Sequence, residues 1–197
     1  MTKTHRAYCL RTCAADMTSH GSFVWPTSGP VECPDWHPRA ECGNGLHGLL
    51  WGAGDGSLLN WSDNAKWLVV GVDEWVEIDS DKVKFPRAEV VFCGDRKAAV
   101  EFIIAKGADP AKCVGGTASA GNYGTASAGY RGTASAGDGG TASGVDGTIL
   151  AVKWWDAEAE RYRLAVAYVG EDGIAAGTKY RCDAGKFIAA ESETPAA

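Results

Sequence analysis

GTASAGNY, GTASAGYR, GTASAGDG and GTASGVDG follow one another from Gly116, and Thr117, Thr125, Thr133 and Thr141 mark a period of eight residues. A tether of Gly and Ser has no reason to hold register; a stack of equivalent units does. Side chains alternate along an extended chain, so an even period preserves their facing from copy to copy. Within each TASA, Thr and Ser point one way and the two Ala the other. The pairs Asn122-Tyr123, Tyr130-Arg131 and Asp138-Gly139 lie between glycines, where turns are expected. Residues 116–147 therefore predict a short β-solenoid or β-roll in which two copies make one flattened coil. The pattern permits Ala inside with the hydroxyls outside, or the reverse. Either interior is thin, because burying a few Ala contributes little at roughly 25 cal/mol per Å². Four copies make only about two coils. A cap or a second chain has to complete the packing, which predicts a homo-oligomer.

The flanking segments supply a domain plan. Residues 1–115 predict a mixed α/β domain, giving an α+β fold class for the whole. HRAYCLRTC reads as a first strand, and SFVWPTSGPVECPDWHP as an ordered loop. KWLVVGV from Lys66 reads as a buried strand, since its apolar residues are nearly continuous. EWVEI and KFPRAEVVFC follow as strands, with Pro86 at a strand start or edge. DRKAAVEFIIAKGA predicts a helix with Asp95 as N-cap and Gly107 as terminator. Beyond the repeats, residues 148–190 predict a C-terminal β-meander that caps them. GTILAVKWW and RYRLAVAYV flank the polar loop DAEAE, and KFIAA forms a last short strand. Residues 191–197, ESETPAA, read as a polar tail.

A formal net charge of −6 argues against sequence-independent nucleic-acid binding, which runs on phosphate neutralisation. No apolar run approaches 18 residues, so no membrane-spanning helix is expected. The N-terminus lacks the apolar core of a signal peptide. Together these predict a cytoplasmic protein whose seven Cys are thiols.

Several segments resemble an uncharacterised family of phage and prophage proteins. They are SHGSFVWP (19–26), CGNGLHGLLWG (42–52), KFPRAEVVFCGDRKAA (84–99), the GTASAG repeats, and KWWDAEAERYRLAVAYVGEDGI (153–174). The resemblance implies a mobile-element origin and no particular activity.

Three constellations have the residue types for function. Cys33, His37, Cys42 and His47 are spaced C-x3-H-x4-C-x4-H, a donor set that suits tetrahedral zinc but lacks the usual C-x2-C pair. GNGLHGL, with Arg11 on an early strand and Glu77 in DEWVEI, resembles an ADP-ribosyltransferase-like site. There Arg11 would bind the nicotinamide cofactor and Glu77 act as catalytic acid, yet the Ser-Thr-Ser strand and the E-x-E motif are missing. Trp154 and Trp155 are adjacent, so only one can face a core. With Tyr123, Tyr130 and Arg131 in the repeat turns, they are candidate anchors for a partner protein. The leading expectation is thus a non-enzymatic phage interaction protein, inhibiting a host defence system by binding a host or viral protein. The alternatives are a nucleotide- or NAD-acting enzyme and a virion structural module. An ice-binding role, in which flat Thr ladders order water, is disfavoured by the two-coil length and the cytoplasmic reading.

Overall fold

The computed structural model describes residues 4–78 and 82–190, so the ESETPAA tail lies outside the described residues. The chain divides into two compact units, Met1–Val114 and Gly115–Ala197.

In the first unit the strands are β1 (Ala7–Cys13), β2 (Gly29–Glu32), β3 (Leu46–Leu50), β4 (Lys66–Val72), β5 (Val76–Glu77), β6 (Val83–Phe85) and β7 (Arg87–Gly94). They form one sheet in the order β2-β7-β4-β1-β3-β6-β5, with every pair antiparallel. KWLVVGV takes an inner position as β4, buried from Trp67 to Val72, as its unbroken apolar run requires. Pro86 does more than start a strand. Lacking an N–H, it ends β6, which pairs with β3, and β7 begins after it and pairs with β4 and β2. Part of the expected loop is also a strand: GPVE pairs along the outer edge as β2, where Pro30 leaves no inner ladder bond unmade.

Helix α1 (Arg96–Ala105) begins at Asp95, whose Oδ1 accepts from the Ala98 N–H at 3.0 Å. It buries Ala99, Val100 and Ile103 and stops before Gly107, which has φ 112°. A hydrophobic cluster that includes Cys9, Cys13, Trp25, Leu46, Leu68, Val70 and Phe85 forms a core of this unit.

The second unit contains β8 (Thr117–Ala120), β9 (Thr125–Ala128), β10 (Thr133–Ala136), β11 (Thr141–Gly144), β12 (Ile149–Asp156), β13 (Arg161–Tyr168), β14 (Tyr180–Asp183) and β15 (Lys186–Ala189). Alternate repeats pair in parallel: β10 with β8, and β11 with β9. The C-terminal strands extend both sheets, in orders β13-β12-β10-β8 and β15-β14-β11-β9. Each sheet is mixed, since β12 joins β10 in parallel while β13, β14 and β15 add antiparallel. Ala184 and Gly185, both at positive φ, make the tight turn between β14 and β15.

The protein is therefore β-rich. Among the described residues α1 is the sole α-helix, so an α+β label overstates the helical part.

Candidate functional site

Facing within the repeats is resolved by burial. Ala126, Ala128, Ala134, Ala136 and Ala142 are buried and join Leu150, Val152, Val169, Ile174 and Tyr180 in one core. Thr117, Ser119 and Thr125 are exposed, and Ser127, Thr133, Ser135 and Thr141 are half-buried on the outer side. The physical reason is that methyl groups enter the apolar core without desolvating a polar atom, whereas the outer side leaves most hydroxyls their water; Ser143 is the exception, buried at 7% exposure. Thr133 stands beside Thr117 and Ser135 beside Ser119 on one sheet. Thr141 stands beside Thr125 and Ser143 beside Ser127 on the other. The Thr125 and Thr141 hydroxyls are 3.0 Å apart and hydrogen-bonded.

Glycines let alternate copies stack this closely. A Cβ on Gly132 would stand 2.5 Å from the Gly116 carbonyl oxygen, and one on Gly140 2.8 Å from that of Gly124. The first glycine of a repeat is thus a backbone contact, not only a turn residue.

The candidate anchors are dispersed over this unit. Tyr123 is 82% exposed, at the turn after β8, with φ 59° and its ring over Gly139. Tyr130 and Arg131 lie at the next turn, between β9 and β10, at the opposite end of the strands. Trp154 packs against Gly185. Trp155 faces the other way, 49% exposed, with its ring 5.1 Å from that of Tyr162.

In the first unit, a cavity of about 860 Å³ is lined by Arg11, Phe23, Trp25, Cys33, Asp35, Cys42, Asn44, His47, Leu58 and Lys82 among others. Strand alternation puts Arg11 on the same face as Cys9 and Cys13, so its guanidinium grows out of core positions. It stacks on Trp25 at 3.6 Å and donates to the His47 carbonyl at 3.1 Å and the Thr12 carbonyl at 3.3 Å. Burial pulls its pKa down to about 10. His47 is held down to about 4, first by burial and then by Lys82, Arg11 and Lys84, and is neutral near pH 7.

The expected zinc set does not converge. The Cys33 thiol donates to Asp35 at 3.0 Å, the Cys42 sulfur accepts from Lys82 at 3.4 Å, and His37 Nδ1 accepts from the Arg39 N–H. Among the described residues no group of three or more His, Cys, Asp and Glu is placed to hold a metal ion. Compact spacing is overridden here because Cys33, His37 and Cys42 are each turned to a different partner, while His47 Nε2 is buried without one. Arg11 and Glu77 do not meet either: β3 and β6 lie between their strands, roughly 14 Å of sheet. All seven cysteines are thiols; burial pushes Cys113 up to about 12 and raises Cys9 further. The cavity residues Phe23, Asn44, Leu58 and Lys82 were not singled out from sequence. They come from separate loops and carry no local motif.

Comparison with known proteins places these features. The chain is 42% identical over 123 residues to an ice nucleation protein of Enterobacter agglomerans, covering 61% of this chain and 10% of that one. It is 47% identical over 109 residues to one of Pseudomonas syringae, covering 54% and 10%. It is 46% identical over 99 residues to one of Xanthomonas campestris pv. translucens, covering 49% and 6%. The chain thus spans about a tenth or less of the length of these relatives. No solved structure matches. These relatives correct the phage and prophage resemblance, since they are ice nucleation proteins of Enterobacter, Pseudomonas and Xanthomonas. The host-defence inhibitor, with its enzyme and virion alternatives, is corrected by the same finding, as is the cytoplasmic location that accompanied it. Outside the repeats, residues 7–105, half of the sequence, match one family model, and the chain accordingly belongs to the family described as Domain of unknown function (DUF7666).

Proposed function

We propose that the repeats are two coils of a β-solenoid whose outward Thr-x-Ser rows order water and act at ice. The observation that carries this reading is register, with Thr beside Thr and Ser beside Ser on both faces. Neighbouring strands stand about 4.8 Å apart and side chains at i and i+2 about 6.7 Å. The β8/β10 face is then a small, regular grid of hydroxyls, and the β9/β11 face presents the same grid with Ser143 buried. The Ala core and the close glycine stacking make the grid stiff, so water adds to a surface already in place. The relatives' name points the same way.

The small number of coils limits the strength of the effect rather than excluding it. A critical ice nucleus shrinks as supercooling deepens. A two-rung grid therefore acts in deeply supercooled water, or by adsorbing to ice already present. Such a surface has to meet freezing water, which is found outside a cell. The test is droplet freezing together with ice-recrystallisation inhibition, using the full chain and a Thr133→Lys/Thr141→Lys variant. The wild type freezes droplets earlier than buffer or slows recrystallisation, and the variant does neither. A wild type inert in both assays, or a variant as active as wild type, refutes the reading.

Self-association is favoured by a separate observation. Tyr162, Leu164, Val166 and Tyr168 are 47–60% exposed along one face of β13, and β13 is the edge of its sheet. An edge strand with an apolar face is a pairing site, and a second copy meets it with the same strip. Trp155, paired with Tyr162, belongs to this strip, whereas Trp154 faces the other side and Tyr123, Tyr130 and Arg131 lie in the repeat turns.

A further inference from the structure

The cavity of the first unit contains a charge without a counter-charge. Arg11 is half-buried as a residue, yet its Nε has no contact with solvent and no hydrogen-bond partner. Its terminal nitrogens donate to the neutral carbonyl oxygens of His47 and Thr12. Among the described residues no carboxylate pairs with it. Cys13 lies beside it, but burial raises that thiol and keeps it neutral. A desolvated guanidinium in this situation is costly unless an anion joins it.

Beyond Arg11, the charged lining side chains are Lys82 and Asp35, and Lys84 stands close behind the wall. His47 responds to three cations, Lys82, Arg11 and Lys84, and its Nε2 is buried without a partner. Lys84 is spent on the carbonyls of Glu41 and Gly43 at 2.9 and 3.1 Å. Among the described residues the Lys82 amine donates to the Cys42 sulfur at 3.4 Å and acts at longer range on the Asp55 carboxylate. The lining carboxylate, Asp35, is turned to the Cys33 thiol and to the Asn44 amide at 2.8 Å. Phe23 and Leu58 supply apolar wall, and about 860 Å³ is within the range that encloses a small organic molecule.

We infer that this cavity binds a small organic anion, a carboxylate or a phosphate, with its charged group at Arg11 and Lys82 and its apolar body against Phe23 and Leu58. Arg11 is suited to the role because its planar donor edge matches either oxyanion, and Trp25 holds that plane in place. The inference concerns the first unit alone and does not depend on the ice reading of the repeats.

The test is isothermal titration calorimetry of the full chain with succinate and with pyrophosphate, each at constant ionic strength set with sodium chloride. At least one probe binds saturably at one per chain with a Kd in the millimolar range or tighter. Saturation by succinate alone identifies a carboxylate ligand, and by pyrophosphate alone a phosphate ligand. Arg11→Gln and Lys82→Gln each weaken binding about tenfold or more, the size of one lost charge-assisted hydrogen bond. Lys82 lies at the cavity rim, so Lys82→Gln keeps the wild-type unfolding midpoint and stays informative even if Arg11→Gln fails to fold. Absence of saturable heat with both probes up to about 10 mM, or wild-type affinity in Lys82→Gln, overturns the inference.

Discussion

Replacing Gly132 with Ala tests the stacking of the repeats at a single atom. The added Cβ would stand 2.5 Å from the Gly116 carbonyl oxygen and 2.8 Å from that of Gly129. Both obstacles are backbone, so no side-chain rotation relieves the contact. The chain has to move apart by roughly 1 Å to restore ordinary van der Waals distance. Two hydrogen bonds lie in the path of that movement: Thr133 N–H to Gly116 O and Ile149 N–H to Gly132 O, each at 3.0 Å. Losing them is worth about 1 kcal/mol each, and overpacking strain adds about 1–2 kcal/mol. A total near 3–4 kcal/mol is expected. Gly121 is the matched control, because a Cβ there meets nothing within 4 Å. Gly121→Ala should stay within about 0.5 kcal/mol of wild type. The assay is equilibrium urea unfolding of the full chain, followed by the fluorescence of the tryptophans, with amide exchange over 116–147 assigning the transition to the second unit. Equal midpoints for the two variants would refute the stacked arrangement.

Ala134→Leu forces three extra carbons into the buried row shared with Ala118 and Leu150, and should destabilise by about 1–3 kcal/mol, whereas Thr133→Leu on the outer side should not; denaturation midpoints decide. His47 titrates at about 4 in the folded protein against 6.5 as its ordinary value, so the unfolded chain binds more protons between those limits. Stability is therefore complete above pH 6.5 and falls as pH drops toward 4. Its partial exposure limits the loss to the order of 1–2 kcal/mol. His47→Gln should flatten that part of the stability–pH curve, and an unchanged slope counts against the burial argument. Multi-angle light scattering should report an oligomer at micromolar concentration that Leu164→Lys/Val166→Lys converts to monomer; a monomeric wild type removes the β13 pairing proposal.

The octapeptide period and its Gly, Ala and Thr positions determined by themselves that residues 116–147 are extended, turn at the glycines and repeat in register. Local chemistry was enough because each copy carries its own strand and its own turn. The same holds for α1, whose Asp95 cap, apolar spacing and Gly107 lie within one short segment. Which side of TASA faces inward was decided only by the packing of the Ala rows with Leu150, Val152, Val169, Ile174 and Tyr180 in one core. Splitting at Pro86 was likewise decided by partners far along the chain, β3 for β6 and β2 with β4 for β7. The sites diverged most. Spacing brought Cys33, His37, Cys42 and His47 near in sequence, but hydrogen bonds turned Cys33, His37 and Cys42 to separate partners and His47 was buried apart from them. Arg11 was visible as an early strand cation, but its surroundings were not. Trp25 and the His47 carbonyl reach it and Lys82 lines the same cavity, from three distant segments that only the folded sheet and its loops bring together.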